Sequence, residues 1–191
     1  FSYFWTMSRL LISTFFLLNA LMASCFTETL PVRCGADRMD HYLHLIEGKQ
    51  IAIVANHTSV VGKRHLVDTL LASGVEKDQI VKVFAPEHGF RGDHAAGAKV
   101  EDGIDPLTGI VVASLYGSHK KPEAEELAGI ELIIFDLQDV GTRFFTYIST
   151  LHYVMEACAA NDIPMLLLDR PNPNGGYVDG PMLDSSYSSF V

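Results

Sequence analysis

Five short apolar runs rich in valine and isoleucine, Ile51–Ala55, Ile80–Phe84, Ile110–Ala113, Leu132–Phe135 and Met165–Leu168, punctuate the chain, and each gives way to a polar cluster. The runs lack the alternation of a half-buried strand, so they predict strands covered on both faces, as in a parallel sheet. Between them the spacing predicts helices over Arg64–Ser73, Pro122–Leu127 and Phe144–Asn161, with a short helix near Met39–Leu45. Strand and helix in alternation predict an α/β fold with a Rossmann-like, doubly wound, mostly parallel sheet. In the long helix Phe144, Phe145, Ile148, Leu151, Met155 and Ala159 recur at helical spacing and are expected in the core, with His152 a hydrogen-bonded core histidine.

In such sheets ligands bind outside the carboxyl ends of the strands, so polar residues gathered there point to a polar ligand and to catalysis. After the second run, Glu87 stands between Pro86 and His88-Gly89. A carboxylate in that loop can serve as a general acid if its surroundings keep it protonated at the working pH; otherwise it is a solvated loop acid or a helix cap. His88 would orient Glu87 or bond a substrate. After the first run come Asn56, His57, Thr58 and Ser59, which can bond sugar hydroxyls or cap the helix expected from about Lys63. After the fourth, Asp136 and Asp139 bracket Gln138, and Arg143 falls in the first turn of the expected helix. The helix dipole disfavours a cation there, so either a bound anion or a salt bridge to Asp136 or Asp139 must account for it. Tyr147 lies near the same rim and can stack on a sugar. Asp169, Arg170 and Asn172 close the fifth run, where the Asp and Arg can pair with each other, and Tyr116 is a weaker candidate after the third.

The chain has no G-x-G-x-x-G after a strand, no phosphate-binding G-x-x-x-x-G-K-[ST] and no G-x-S-x-G elbow, which demotes nucleotide binding and serine hydrolysis. His57, His88, His94, Glu87, Asp93 and Asp136 can be gathered on paper into a metal site, yet no metal-ligand spacing links them, so no metal or other cofactor is expected. Fourteen Lys and Arg against 23 Asp and Glu, a formal net charge of −9, argue against nucleic acid as a partner.

Met7 opens a segment with one base, Arg9, an apolar run from Leu10 to Leu21 and the small residues before Cys25. That is the layout of an export signal, and its ending resembles a lipobox, so Cys25 is a candidate lipid anchor and the mature protein is expected in the bacterial envelope, periplasmic or lipid-anchored. The anchor is the expected route to a membrane. Cys34 and Cys158 do not make a disulfide scaffold, and Cys158, in an apolar helical pattern, is expected as a core thiol.

The strings Ala55-Asn56-His57-Thr58, Pro86-Glu87-His88-Gly89-Phe90-Arg91-Gly92, Phe135-Asp136-Leu137-Gln138-Asp139-Val140-Gly141 and Leu168-Asp169-Arg170-Pro171-Asn172-Pro173 occur in order, with Arg64-His65-Leu66-Val67-Asp68 and Ser114-Leu115-Tyr116-Gly117 between them. Over Ile46 to Val191 the chain resembles the exo-β-N-acetylmuramidases of the NamZ/YbbC type. The resemblance implies a Rossmann-like domain carrying the site, a second smaller domain beyond it, and release of N-acetylmuramic acid from the non-reducing end of peptidoglycan fragments without metal or nucleotide. With the segments read above, residues 1–25 are expected as upstream sequence and signal and 26–45 as linker and short helix, and the resemblance makes 46–191 the Rossmann-like catalytic domain. Muramyl saccharides carry a lactyl carboxylate, for which Arg143 or Arg91 would supply the cation. Glu87 would be the proton donor and Asp136 or Asp139 the second carboxylate. A sugar-binding module without catalysis and a metal-dependent hydrolase are the alternatives.

Overall fold

In a computed structural model of the chain, residues 32–92 and 102–190 are described. The signal-like segment with Cys25, and Asp93 and His94 of the paper metal site, lie outside them. Residues Arg33–Val191 form one unit built on a six-stranded sheet.

The elements in chain order are α1 (Met39–Ile46), β1 (Ile51–Ala55), β2 (Val60–Val61), β3 (Arg64–His65), α2 (Leu66–Ala72), β4 (Ile80–Ala85), β5 (Gly103–Ile104), β6 (Val111–Ser114), β7 (Leu132–Asp136), α3 (Tyr147–Ala160) and β8 (Met165–Leu167). The sheet runs β5-β6-β4-β1-β7-β8, and β2 and β3 form a separate small hairpin. All pairs in the large sheet are parallel except β5 against β6. From β1 the chain fills one side through β4 and β6 and then crosses to β7 and β8 on the other. Strand order therefore reverses at β1, and the crevice beyond its carboxyl end is where an open α/β sheet receives a ligand.

Every side chain of β1 and β7 is buried because strands flank them and helices cover both faces. Ile51, Ile53 and Ala55 point to one face and meet Tyr42 and Ile46 of α1 and Leu66, Val67 and Leu70 of α2. Ala52 and Val54 point to the other, among Ile133, Phe135 and the α3 residues Tyr147, Val154, Ala157 and Cys158. Each large aliphatic side chain taken fully from water contributes about 1.5–3 kcal/mol against the entropy of ordering the chain.

Several boundaries and one face differ from the sequence expectation. The helix expected over Arg64–Ser73 begins at Leu66, because Arg64 and His65 pair back onto Val60 and Val61. His65 Nδ1 accepts the Val67 N–H as the cap, so Thr58 and Ser59 do not cap it. Pro122–Leu127 forms turns in place of a helix: too few residues follow the costly first turn to repay nucleation, although Leu127 and Ile130 are buried. The long helix starts at Tyr147, with Thr146 as its N-cap. Its buried stripe is Tyr147, Thr150, Val154, Ala157 and Cys158, whereas Phe144, Ile148 and Met155 are exposed and Ala159 lies on the surface. His152 is exposed as well and pairs with Glu156 at 3.0 Å.

Candidate active site

The carboxyl ends of β4, β1 and β7 lie side by side, and their loops carry most of the polar residues singled out above. Glu87 sits two residues past β4 in a loop that reverses tightly: His88 has φ +73° and Gly89 +75°, and Gly89 N–H closes the turn on Pro86 O at 3.1 Å. A non-glycine residue in the left-handed region costs of order 1 kcal/mol, so the surroundings must hold it there, and such strain gathers at functional sites. Glu87 itself is half-buried.

Two tyrosines reach this loop. Tyr116, beyond β6, donates its hydroxyl to Glu87 Oε1 at 3.2 Å, and Tyr147, at the start of α3, approaches the Glu87 carbonyl at 3.5 Å. The same Tyr147 oxygen accepts from Asn56 Nδ2 at 2.8 Å. Tyr147 is only 7% exposed, so it cannot present a ring face to a sugar; it bridges β1 to the Glu87 loop. Burial pushes its phenol pKa up, with the Glu87 charge in the same direction and Asn56 opposing.

Asn56 is fully buried and satisfied on every side. Its Oδ1 accepts the Thr58 N–H at 2.8 Å and hydroxyl at 2.7 Å, and its backbone N–H donates to Ser59 Oγ at 3.0 Å. Ser59 Oγ in turn donates to Asp136 O, joining the ends of β1 and β7. The Asn56 carbonyl receives His65 Nε2 at 2.8 Å while His65 Nδ1 accepts from Val67, so the ring is the neutral Nε2–H tautomer, and burial lowers its pKa. His65 stood out in the sequence only as part of a shared string, and Ser59 as a residue able to bond a sugar or cap a helix; their bonds to the Asn56 carbonyl and to Asp136 O follow from the fold. His57 is exposed with its ring 6.4 Å from that of His88, edge to face. Among the described residues no three of His, Cys, Asp and Glu gather as metal ligands.

The arginines are distributed differently from expectation. Arg91 donates Nη1 and Nη2 to Asp68 at 2.8 and 2.9 Å, and Nε and Nη2 to Asp105 at 3.1 and 2.8 Å. Both forks of its guanidinium are filled, so it pins the Glu87 loop to α2 and is not placed to hold a substrate carboxylate. Hydrogen bonds from Arg91 hold the Asp68 carboxyl below its ordinary range; at Asp105 they do so against burial, with help from Thr108. Arg170 pairs with Asp136 rather than with its neighbour Asp169, through Nε to Oδ1 and Nη2 to Oδ2, and also donates to Val60 O at 3.0 Å. Burial pushes the fully buried Asp136 carboxyl up and Arg170 pulls it back. Asp136 is thereby committed to a structural pair. Arg143 precedes α3, outside its first turn, and donates Nη2 to Pro181 O at 2.8 Å; neither Asp136 nor Asp139 pairs with it.

Arg143 lines an open groove of about 690 Å³ between the loop after β7 and the chain beyond β8, with Thr142, Phe144, Asn172, Asn174 and Tyr177. Glu87 is not among its walls, but Arg143 stands four residues before Tyr147, which touches the Glu87 loop. Gln138 Nε2 donates to Pro171 O at 2.7 Å and Asn174 Nδ2 to Val140 O at 2.7 Å, fastening the two sides. Asp139 Oδ1 accepts from Gly141 N–H at 2.7 Å; Oδ2 and the Thr142 hydroxyl are buried without a partner. Asp169 is exposed.

The chain matches the family described as exo-β-N-acetylmuramidase NamZ, N-terminal, over residues 51–191. It is 45% identical over 163 residues to the peptidoglycan β-N-acetylmuramidase NamZ of Bacillus subtilis (strain 168), covering 84% of this chain and 39% of that protein. Two crystal structures of DUF1343-family proteins from Bacteroides fragilis NCTC 9343 share the fold. One has a TM-score of 0.69 at 43% identity and the other 0.71 at 36%, each over 83% of this chain and 40% of the solved one. The chain thus spans about two fifths of the length of these relatives.

Proposed function

The chain belongs to the family of the NamZ N-terminal domain, and from that premise we propose that it carries the proton donor of a glycosidase that releases N-acetylmuramic acid from the non-reducing end of peptidoglycan fragments. The observation that carries this reading is the Glu87 carboxyl, half-buried in a strained loop beyond β4, the strand beside the β1 switch point, and met by Tyr116. In the reaction Glu87 gives its proton to the glycosidic oxygen as the bond from that oxygen to the anomeric carbon breaks. Water then supplies the new hydroxyl, either directly or after a carboxylate has attacked.

Asp136 is engaged by Arg170, whereas Asp139 has an oxygen without a partner, which favours Asp139 as the second carboxylate. Arg143 is the cation for the lactyl carboxylate, since Arg91 and Arg170 are occupied by acids of the protein. Asn172 shares its groove. The segment Met7–Cys25 is the export signal, with Cys25 the candidate lipid attachment point; mass spectrometry of the mature amino terminus, showing neither cleavage nor acylation there, would remove that assignment.

The test uses the protein expressed from the complete open reading frame that carries this chain, with chromogenic glycosides of N-acetylmuramic acid and N-acetylglucosamine. Release from the muramic compound alone is expected, and Glu87→Gln is expected to lower that turnover by about 10²–10⁴-fold while the protein stays folded. Undiminished turnover by the variant would sink Glu87 as proton donor, and silence of the wild type on both compounds, with muramyl fragments bound in calorimetry, would make this a binding module.

A further inference from the structure

We infer that Tyr116 is a positioning residue for Glu87: its hydroxyl, donated to Oε1, makes that oxygen the acceptor and leaves Oε2 to carry the proton that is transferred. This role rests on Glu87 as the proton donor and goes beyond it by dividing the work between the two carboxyl oxygens.

Strand register brings the pair together. Ala85 of β4 lies opposite Ser114 of β6, and the next rung is closed by Leu115 N–H on Ala85 O at 2.8 Å. Glu87 and Tyr116 each lie two residues past that paired position, so the loops leave the sheet in step and their side chains meet. The Tyr116 ring packs against the core cluster beneath the β1 face, which fixes where its hydroxyl points.

A protonated carboxyl has one O–H and one carbonyl oxygen. A phenol can donate only to an oxygen with a lone pair directed at it, and partial burial together with Glu87 raises the Tyr116 pKa, which favours the neutral, donating phenol. At 3.2 Å the bond is long for O–H···O, whose usual length is about 2.7–2.8 Å. As Glu87 loses its proton the negative charge spreads onto Oε1, and a donor to a carboxylate binds more strongly and more closely than a donor to a neutral acid. Tyr116 therefore contributes most when the proton leaves, which is the condition for an interaction to speed the chemical step.

Tyr116 as a sugar-stacking ring makes different demands, because stacking needs the ring and positioning needs the hydroxyl. In the protein from the complete reading frame, Tyr116→Phe keeps the ring and removes the donor. The expected result with a muramyl disaccharide is a kcat lower by roughly 10–100-fold with KM little changed. The basic limb of the kcat/KM profile is expected to move to higher pH, since the ionised carboxylate has lost a donor. A 4-nitrophenyl glycoside, whose leaving group needs little protonation, should show a smaller loss. Glu87→Gln runs alongside. If Glu87→Gln is inactive but Tyr116→Phe keeps wild-type kcat and pH profile, with Tyr116→Ala raising only KM, Glu87 stands and Tyr116 is a stacking residue. If Glu87→Gln retains turnover, both roles fall.

Discussion

The role proposed for Arg143 rests on how the arginines around it are engaged. Of the arginines that follow β4, β7 and β8, two are saturated: Arg91 by Asp68 and Asp105, Arg170 by Asp136 and Val60 O. Arg143 spends one hydrogen on Pro181 O and faces an open groove. Arg143→Gln is therefore expected to raise KM for the muramic acid glycoside about tenfold, the worth of a charge-assisted hydrogen bond, while leaving any slow turnover of the glucosamine compound unchanged. Steady-state kinetics on the two substrates check this, and an equal loss on both would mean that the lactyl group is held elsewhere. Of the residues singled out in the sequence, Glu87, Asn56, Tyr116 and Tyr147 are joined by direct hydrogen bonds, yet beforehand they were legible only as separate candidates on the rim of the sheet, not as one network. Tyr147 looked like a stacking ring because exposure cannot be read from residue type; the fold buries it and uses its hydroxyl.

At the scale of elements, the five parallel strands were legible to within a residue or two, because β1 and β7 are buried on both faces and so are apolar without interruption, whereas the two-residue strands β2, β3 and β5 were not. The long helix was legible in extent and misread in orientation. Tyr147, Ile148, Leu151, Val154, Met155 and Ala157 surround it with apolar side chains, so a period of 3.6 selects two stripes equally well, and only contact with the sheet chooses Tyr147, Val154 and Ala157. The turn before α1 depends on a close approach of another kind. Gly35 donates its N–H to Asp169 O at 2.6 Å, and a Cβ there would lie 2.7 Å from Asp169 N and 2.8 Å from Leu168 C, both backbone atoms. Gly35→Ala is expected to lower Tm by roughly 5–10 °C, corresponding to about 3 kcal/mol of overpacking that no side-chain rotation relieves. A melting curve unchanged by the substitution would show that the turn and the end of β8 are farther apart.

Across the whole molecule, Arg91 links the Glu87 loop, α2 and the turn around Asp105, and this makes stability depend on pH. The folded-state pKa values of Asp68 and Asp105 lie below their unfolded ones, so their contribution is present above about pH 4. It is lost as pH falls through the folded values. Denaturant titrations from pH 6 to pH 3 are expected to show a falling midpoint for the wild type. Asp68→Asn should start lower and fall less, so that the two curves converge in acid; parallel curves would mean that the Arg91 pairing contributes nothing to folding.

Local pattern along the chain was enough to place the five parallel strands, to mark the polar clusters at their ends and, through the shared strings, to point to the family, because each of these depends on residues within a few positions of one another. It could not say which cation meets which acid. Arg170 finds Asp136 across 34 positions and Tyr116 finds Glu87 across 29, while Arg91 reaches Asp68 across 23 and Asp105 across 14. Those partnerships follow from strand order and register, which bring distant loops to one end of the sheet.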